Sequence, residues 1–138
     1  VLEELQTKIT KYGLQEHVII KGFASNIESA MSDADVCLVP SLMKDPFPTT
    51  VLEAMSASKP VITTNHGGAR EAVIDKVTGF LVNPNNLNQL ADSIVNLIEK
   101  RSELPAYGNN ARVRFEEMFT TKHFNENWLK FNLTHQLI

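Results

Sequence analysis

ADVCLVPS, residues 34–41, is apolar at nearly every position and ends on a proline and a serine. A strand with one wet face alternates apolar and polar side chains; an unbroken apolar run suits a parallel strand covered on both faces. PVITTN, residues 60–65, reads the same way, and between the two the sequence predicts a loop carrying Lys44 to Pro48 and a helix from about Thr50 to Ala57, closed by SKP. Working outward, HVIIKGF (17–23) predicts an earlier strand, entered from a helix whose apolar positions Leu2, Leu5, Ile9 and Tyr12 share one stripe and which stops at Gly13. Ser25 is placed to cap a brief helix through Met31. Downstream come the loop HGG, a short helix AREAVI, and a turn through Gly79 into the strand FLVNP. Leu87, Leu90, Ala91, Ile94, Leu97 and Ile98 form one helical stripe, and further helices are expected over about Asn110–Phe119 and from Thr121 to the end. Strands alternating with helices at this spacing predict an α/β layer fold with a mainly parallel sheet, whose right-handed crossovers bring the loops after the strands to one edge.

A chain of 138 residues is one domain by size. Its 43% hydrophobic and 21% charged residues are ordinary for a globular protein, and it has no apolar run long enough to cross a bilayer. A formal charge of −3 leaves no basic excess to neutralise a row of phosphates, so nucleic acid is not expected as a partner. Small anions remain candidates, because backbone amides at a helix start bind them without net positive charge. The single cysteine, Cys37, sits in an apolar run and reads as a core thiol. His17, His66, His123 and His135 show no metal-ligand spacing, and there is no G-x-S-x-G elbow, so neither a structural metal nor a serine nucleophile is expected. The chain opens in a helix, with no initiator Met or signal-peptide pattern, and we expect an excised piece of a longer protein.

The stretch KDPFPTTVLEAM, residues 44–55, holds carboxylates at Asp45 and Glu53. On spacing alone Thr50 and Glu53 fit an [ST]-x-x-[DE] capping box, and Asp45, before a proline, fits a turn. The loop's position supports another reading, since it follows a buried parallel strand and precedes a helix N-terminus, where open α/β sheets bind nucleotides. Amides near Thr49 to Val51 would meet an anion there, and carboxylates on either side would accept hydrogen bonds from sugar hydroxyls. Gly67 and Gly68 form a second loop on the same edge, where missing side chains would let a ligand approach the backbone. A bare Gly-Gly equally marks an ordinary tight turn, and His66 beside it is either a hydrogen-bond donor or a solvated loop residue.

The order ADVCLVPS, then DPFPTTVLEAMSASKPVITTNHGGAREAV, then TGFLVNP and an amphipathic helix resembles the C-terminal nucleotide-sugar-binding domain of GT-B glycosyltransferases, in the large retaining group with an E-x7-E motif (glycosyltransferase family 4, or group 1). The resemblance runs from about His17 to Phe119. It implies a Rossmann-like three-layer domain, one half of a GT-B fold, N-terminally truncated, with residues 1–138 as a partial donor-binding domain and the acceptor-binding N-terminal domain absent. By position, Asp45 is the acid that touches hydroxyls of the donor sugar and Glu53 the acid that binds the ribose. The resemblance also places Gly22 and Phe23 near the base, with Ser41 beside it, and Phe47, Pro48, Thr49, Thr50, His66, Gly67 and Gly68 around the rest of the donor. Asp45 stands where Glu is commoner, and Pro48 where Gly is usual, which removes one backbone N–H. Glu71 matches the acid that follows the glycine pair and is left out of the catalytic set. Lys44 and Arg70 read as solvated charges, and the basic pair that grips the donor diphosphate does not precede Val1.

These readings predict retaining transfer of a glycosyl group from a nucleotide-diphospho-sugar in polysaccharide, lipopolysaccharide or glycoconjugate synthesis. The donor is a substrate, and no protein-bound metal or other cofactor is expected. The parent is expected in the cytoplasm, at the inner face of the membrane if it is peripheral, and this chain alone is expected to be inactive. The alternatives are a nucleotide-sugar 2-epimerase-like isomerase and a non-catalytic sugar-nucleotide-binding module. Phe124, Trp128 and Phe131 crowd the last helix, whose exposed apolar face is expected to make the isolated chain self-associate.

Overall fold

A computed structural model describes residues 1–135. Its elements in chain order are α1 (Leu2–Lys11), α2 (Ile27–Ser32), β1 (Cys37–Val39), α3 (Thr49–Ser56), β2 (Val61–Thr64), α4 (Ala69–Ala72), β3 (Gly79–Val82), α5 (Leu87–Glu99), α6 (Leu104–Met118) and α7 (Thr121–His135). The sheet has the order β1-β2-β3 and every pairing is parallel, with Cys37 opposite Val61 and Val61 opposite Gly79. This is the α/β layer fold that the apolar runs predict. The expected last helix continues into 136–138, which lie outside the described residues.

Successive residues of β2 feed opposite faces of the sheet, as a pleated strand requires. Val61 joins Val51, Ala54, Met55, Ala72, Val73 and Ala111, so that face carries α3, α4 and α6. Ile62 joins Phe80, Val82 and Leu97, with Leu90 and Ile94 packed beside them, so the other face carries α5. Three layers result. In α3 the buried residues Val51, Ala54 and Met55 fall at i, i+3 and i+4, one side of a helix. Burying side chains of this size stabilises by about 1.5–3 kcal/mol each.

Helix α6 meets the turn after α3 at Gly108, where an added Cβ would sit 2.0 Å from the Ser58 carbonyl oxygen. Four residues on, Arg112 donates to the Ser56 carbonyl at the C-terminus of α3, and Arg114 donates to Ala72 O at 2.8 Å and Glu71 O at 2.7 Å at the end of α4. Cations at helix C-termini satisfy free carbonyls and complement the dipole. Both short helices are thus held from behind, leaving their N-termini toward the strand ends.

Several local expectations are corrected. HVIIKGF is not a strand: Val18, Ile19 and Ile20 are exposed, Ile19 at 79%, and β1 pairs only with β2. An apolar run encodes a preference for burial, but a strand also needs a hydrogen-bonded neighbour, and no described strand offers one to this segment. Asn26, rather than Ser25, caps α2, its side chain accepting from Ser29 N at 2.9 Å. The α5 stripe is only partly covered, with Leu97 buried but Leu87 and Ile98 exposed. Leu38 of β1 is 49% exposed, so the run that looked fully covered is an edge strand with one open face. The helix expected over 110–119 begins earlier, at Leu104, with Pro105 in its first turn, where a missing N–H costs nothing.

The capping box is also absent. The N-cap of α3 is Pro48, with no side-chain cap, so the helix starts at Thr49 and Glu53 falls two residues too late to fold back onto it. Thr50→Ala is therefore expected to change the unfolding free energy in urea by less than about 0.5 kcal/mol, whereas a capping threonine would lose ~1 kcal/mol. Burial raises the Cys37 thiol above its ordinary value of 9.0, opposed by the nearby Lys59 charge. Alkylation of Cys37 by iodoacetamide at pH 8 should run slower in the folded chain than in denaturant, because the thiolate is the reacting species and burial disfavours it; equal rates would refute a core thiol.

Candidate functional site

A parallel sheet sends the C-terminal ends of its strands to one edge, so the loops after β1 and β2 meet there although they lie far apart in sequence. Between them is a cleft of about 210 Å³ whose lining includes Ser41, Asp45, Pro48, Thr49, Thr50, Thr64 and His66. A cavity of similar size, about 240 Å³, runs beside α5 and is lined mainly by apolar side chains such as Leu38, Ile62 and Ile94. Convergent polar groups distinguish the first.

The cleft is tied together at Ser41. Its carbonyl oxygen accepts from Thr64 Oγ1 at 2.6 Å and lies 2.9 Å from His66 Nε2, which must carry the ring proton to donate there. Thr63 Oγ1 donates in the same way to Val39 O at 3.0 Å. The Ser41 hydroxyl is used locally, donating to Met43 O at 3.0 Å and accepting from Met43 N at 3.2 Å. Two buried threonines at the end of β2 thus brace the loop after β1. Sequence reading passed over Thr63, Thr64, Met43 and Ala69, all of which line the cleft; the signal was a pair of hydroxyl residues ending an otherwise apolar strand.

Asp45 lines the cleft and also makes a turn. Its Oδ1 accepts from Phe47 N at 2.9 Å, an Asx turn that leaves Oδ2 without a partner among the described residues. Phe47 points away, its ring 5.5 Å from that of Phe119, and so anchors the loop to the core. At the start of α3, Val51 N donates to Pro48 O at 3.1 Å, while no described acceptor pairs with the Thr49 and Thr50 amides. These are the orphan donors of a helix start, at the positive end of its dipole. Glu53, four residues after Thr49 and three after Thr50, shares their face of the helix, about 6 Å further along its axis. Its carboxylate is exposed and makes no ion pair among the described residues. The structure thus brings Asp45 to the helix-start amides, while Glu53 is not among the residues that line the cleft and stands about one turn beyond them.

Other candidates are placed differently. Gly22 has nothing within 4 Å of an added Cβ, and Phe23 is 99% exposed, so neither is brought to the cleft. Gly67 and Gly68 adjoin it, but the space a side chain would take is filled by the 45–47 loop. Lys44 and Arg70 are exposed and unpaired among the described residues. Among the described residues no three of His, Cys, Asp and Glu are grouped to hold a metal ion, and no helix is long and apolar enough to cross a membrane. A cleft with free helix-start amides beside one carboxylate, and a second carboxylate about a turn further along the helix, suits a ligand that carries both an anionic group and hydroxyls.

Comparison with known proteins identifies the family. The family model described as glycosyl transferases group 1 matches residues 1–114. The alpha-1,3/1,6-mannosyltransferase ALG2 of Dictyostelium discoideum is 33% identical over 130 residues, covering 91% of this chain and 30% of that protein. Sucrose synthase 1 of Hordeum vulgare is 30% identical over 131 residues, covering 83% of this chain and 16% of that protein. Anabaena Alr3699/HepE, solved in complex with UDP, superposes with a TM-score of 0.91 at 30% identity, over 96% of this chain and 36% of that one; it has also been solved with UDP-glucose. The chain thus spans a third or less of the curated relatives it matches. With the parallel sheet, the helix start and the matched residues in agreement, the chain belongs to the group 1 glycosyltransferases, as part of the Rossmann-like half of a GT-B fold.

Proposed function

We propose that this chain binds a nucleoside diphosphate sugar across the N-terminus of α3 and serves as the donor-binding portion of a longer, retaining glycosyltransferase. The observation that carries the reading is the unpaired Oδ2 of Asp45 in one cleft with the unpaired amides of Thr49 and Thr50; Glu53 lies about one helical turn beyond them, outside the cleft lining. The diphosphate lies at the amides, the hexose hydroxyls meet Asp45 Oδ2, and the ribose hydroxyls meet Glu53. A relative of the same fold that has been solved with UDP and with UDP-glucose supports a donor of this class.

The chemistry assigned to these residues is binding, orientation and charge stabilisation. When the bond from the anomeric carbon to the diphosphate breaks, negative charge grows on the leaving oxygen, where the helix-start amides are already aimed. Asp45 holds the hexose by its hydroxyls and so sets which face of the anomeric carbon meets the acceptor. The acceptor is held by the rest of the protein and supplies the nucleophilic hydroxyl. No side chain lining the cleft forms a nucleophile–base pair, and the reading needs neither a covalent glycosyl-enzyme nor a protein-held metal. A soluble parent working in the cytoplasm, at the inner face of the membrane if peripheral, completes the proposal.

Calorimetric titration of the full-length protein with UDP and UDP-glucose, and with GDP and GDP-mannose, tests it. Glu53→Gln should weaken nucleotide and sugar nucleotide alike by about tenfold, and Asp45→Asn should weaken only the sugar nucleotide by a similar factor, the worth of one hydrogen bond to a charged group. Affinity should be the same with magnesium as with EDTA. Epimerised sugar appearing without acceptor would replace transfer by isomerisation, and donor binding with no transfer to a broad acceptor panel would leave a binding module.

The same reading assigns α7 to contact with the acceptor-binding part. Phe124, Trp128 and Phe131 stack at centroid separations of 6.5 and 6.3 Å along its exposed side, with Leu129 beside them. The isolated 138-residue chain should therefore self-associate, with Trp128 emission shifting to the blue as concentration rises. A monomer with Trp128 solvated and α7 intact would count against this.

A further inference from the structure

We propose that Gly67 and Gly68 are positioning residues: they form a seat, with no side chain, that holds the Asp45 loop where its carboxylate can meet the hexose, and so they govern recognition of the sugar and not of the nucleotide. The inference rests on the donor-site reading above and assigns the glycine pair a role other than backbone approach to a ligand.

An added Cβ at Gly67 would lie 2.2 Å from the carbonyl oxygen of Asp45, and one at Gly68 would lie 2.0 Å from that of Pro46 and 2.7 Å from Cδ2 of Phe47. The atoms occupying the glycines' open side therefore belong to the protein. Gly68 N donates to Asp45 O at 3.0 Å, so the contact is a directed hydrogen bond as well as a close approach. Gly67 has φ +57°, a left-handed conformation that other residues adopt only with strain. The far side of the loop is fixed by Phe47 on Phe119, and the Asx turn locks the carboxylate to its own backbone. Seat, anchor and turn together leave the Asp45 carboxylate little freedom.

Relieving contacts of 2.0 to 2.2 Å requires the 45–47 loop to move by roughly 1 Å or more, enough to break a hydrogen bond to a sugar hydroxyl. The helix carrying Thr49, Thr50 and Glu53 does not depend on the seat. It is held by the fully buried Val51, Ala54 and Met55 and by Arg112 at its far end. A side chain at either glycine thus displaces the sugar contact and leaves the nucleotide contacts in place.

The test is calorimetry on the full-length protein with UDP and UDP-glucose, or with GDP and GDP-mannose if the wild type prefers guanine, together with thermal melting. Gly67→Ala and Gly68→Ala should each weaken the sugar nucleotide relative to the bare nucleotide by about tenfold, with the nucleotide itself changed less than about twofold. Phe47→Leu, which loosens the same loop without adding an atom to the seat, should shift the ratio in the same direction and covers the case in which an alanine variant does not fold. Gly108→Ala introduces an equally severe clash, 2.0 Å from Ser58 O, away from the cleft; it should lower the melting temperature without moving the ratio. Folded glycine variants with an unchanged ratio, beside an Asp45→Asn protein in which it shifts, would overturn the seat alone. A wild-type protein that binds none of the four ligands would overturn the donor-site reading and the seat with it.

Discussion

The parallel ladder between β1 and β2 is the constraint on which the rest depends. With Cys37, Leu38 and Val39 set against Val61, Ile62 and Thr63, both strands must end at the same edge, and the chain must cross back through α3 between them. That crossover aims the N-terminus of α3 at the edge where the two loops emerge. Thr63 and Thr64 then reach across the ladder's end to Val39 and Ser41, so pairing that begins as backbone hydrogen bonds continues as side-chain bonds into the cleft. Because these polar side chains are buried, each bond costs more to lose than it contributes when made.

Rigidity behind the cleft complements precision in front. Arg112 and Arg114, two residues apart on α6, end on the C-termini of different helices, and the close approach at Gly108 lets α6 lie near enough for the first of them to reach. The front of α3 is left unsatisfied by comparison: a proline at the N-cap donates nothing, no side chain caps, and two amides face the cleft. A helix stabilised at one end and open at the other has an anion site at the open end, with the stabilising contacts supplied by burial elsewhere.

Much of this was legible in the residues. The apolar runs at 34–41 and 60–65, the amphipathic stripe of α5 and the turn at Gly79 located the described strands along the chain; in β2 the continuous signal reflects burial on both faces, whereas in β1 the same signal belongs to an edge strand with Leu38 half exposed. HVIIKGF carried the same signal yet forms no strand, since a strand's existence depends on a neighbour that its own residues do not encode. Spacing alone offered Glu53 as a capping residue, but a two-residue shift in the N-cap, from Thr50 to Pro48, removed that role. Gly67 and Gly68 were readable as a place where something comes close; what comes close is the chain's own 45–47 segment.

Local chemistry by itself determined which residues carry charge, which segments want burial, and that a proline-bounded acidic loop precedes a helix, since these follow from side-chain type and short-range spacing. The alternation of strands and helices also put the loops after β1 and β2 on one edge, but only the tertiary structure decided that Asp45 keeps a free oxygen in one cleft with two unpaired amides and that the glycines seat a loop. Such facts are distances between segments joined through the sheet, and no local pattern contains them.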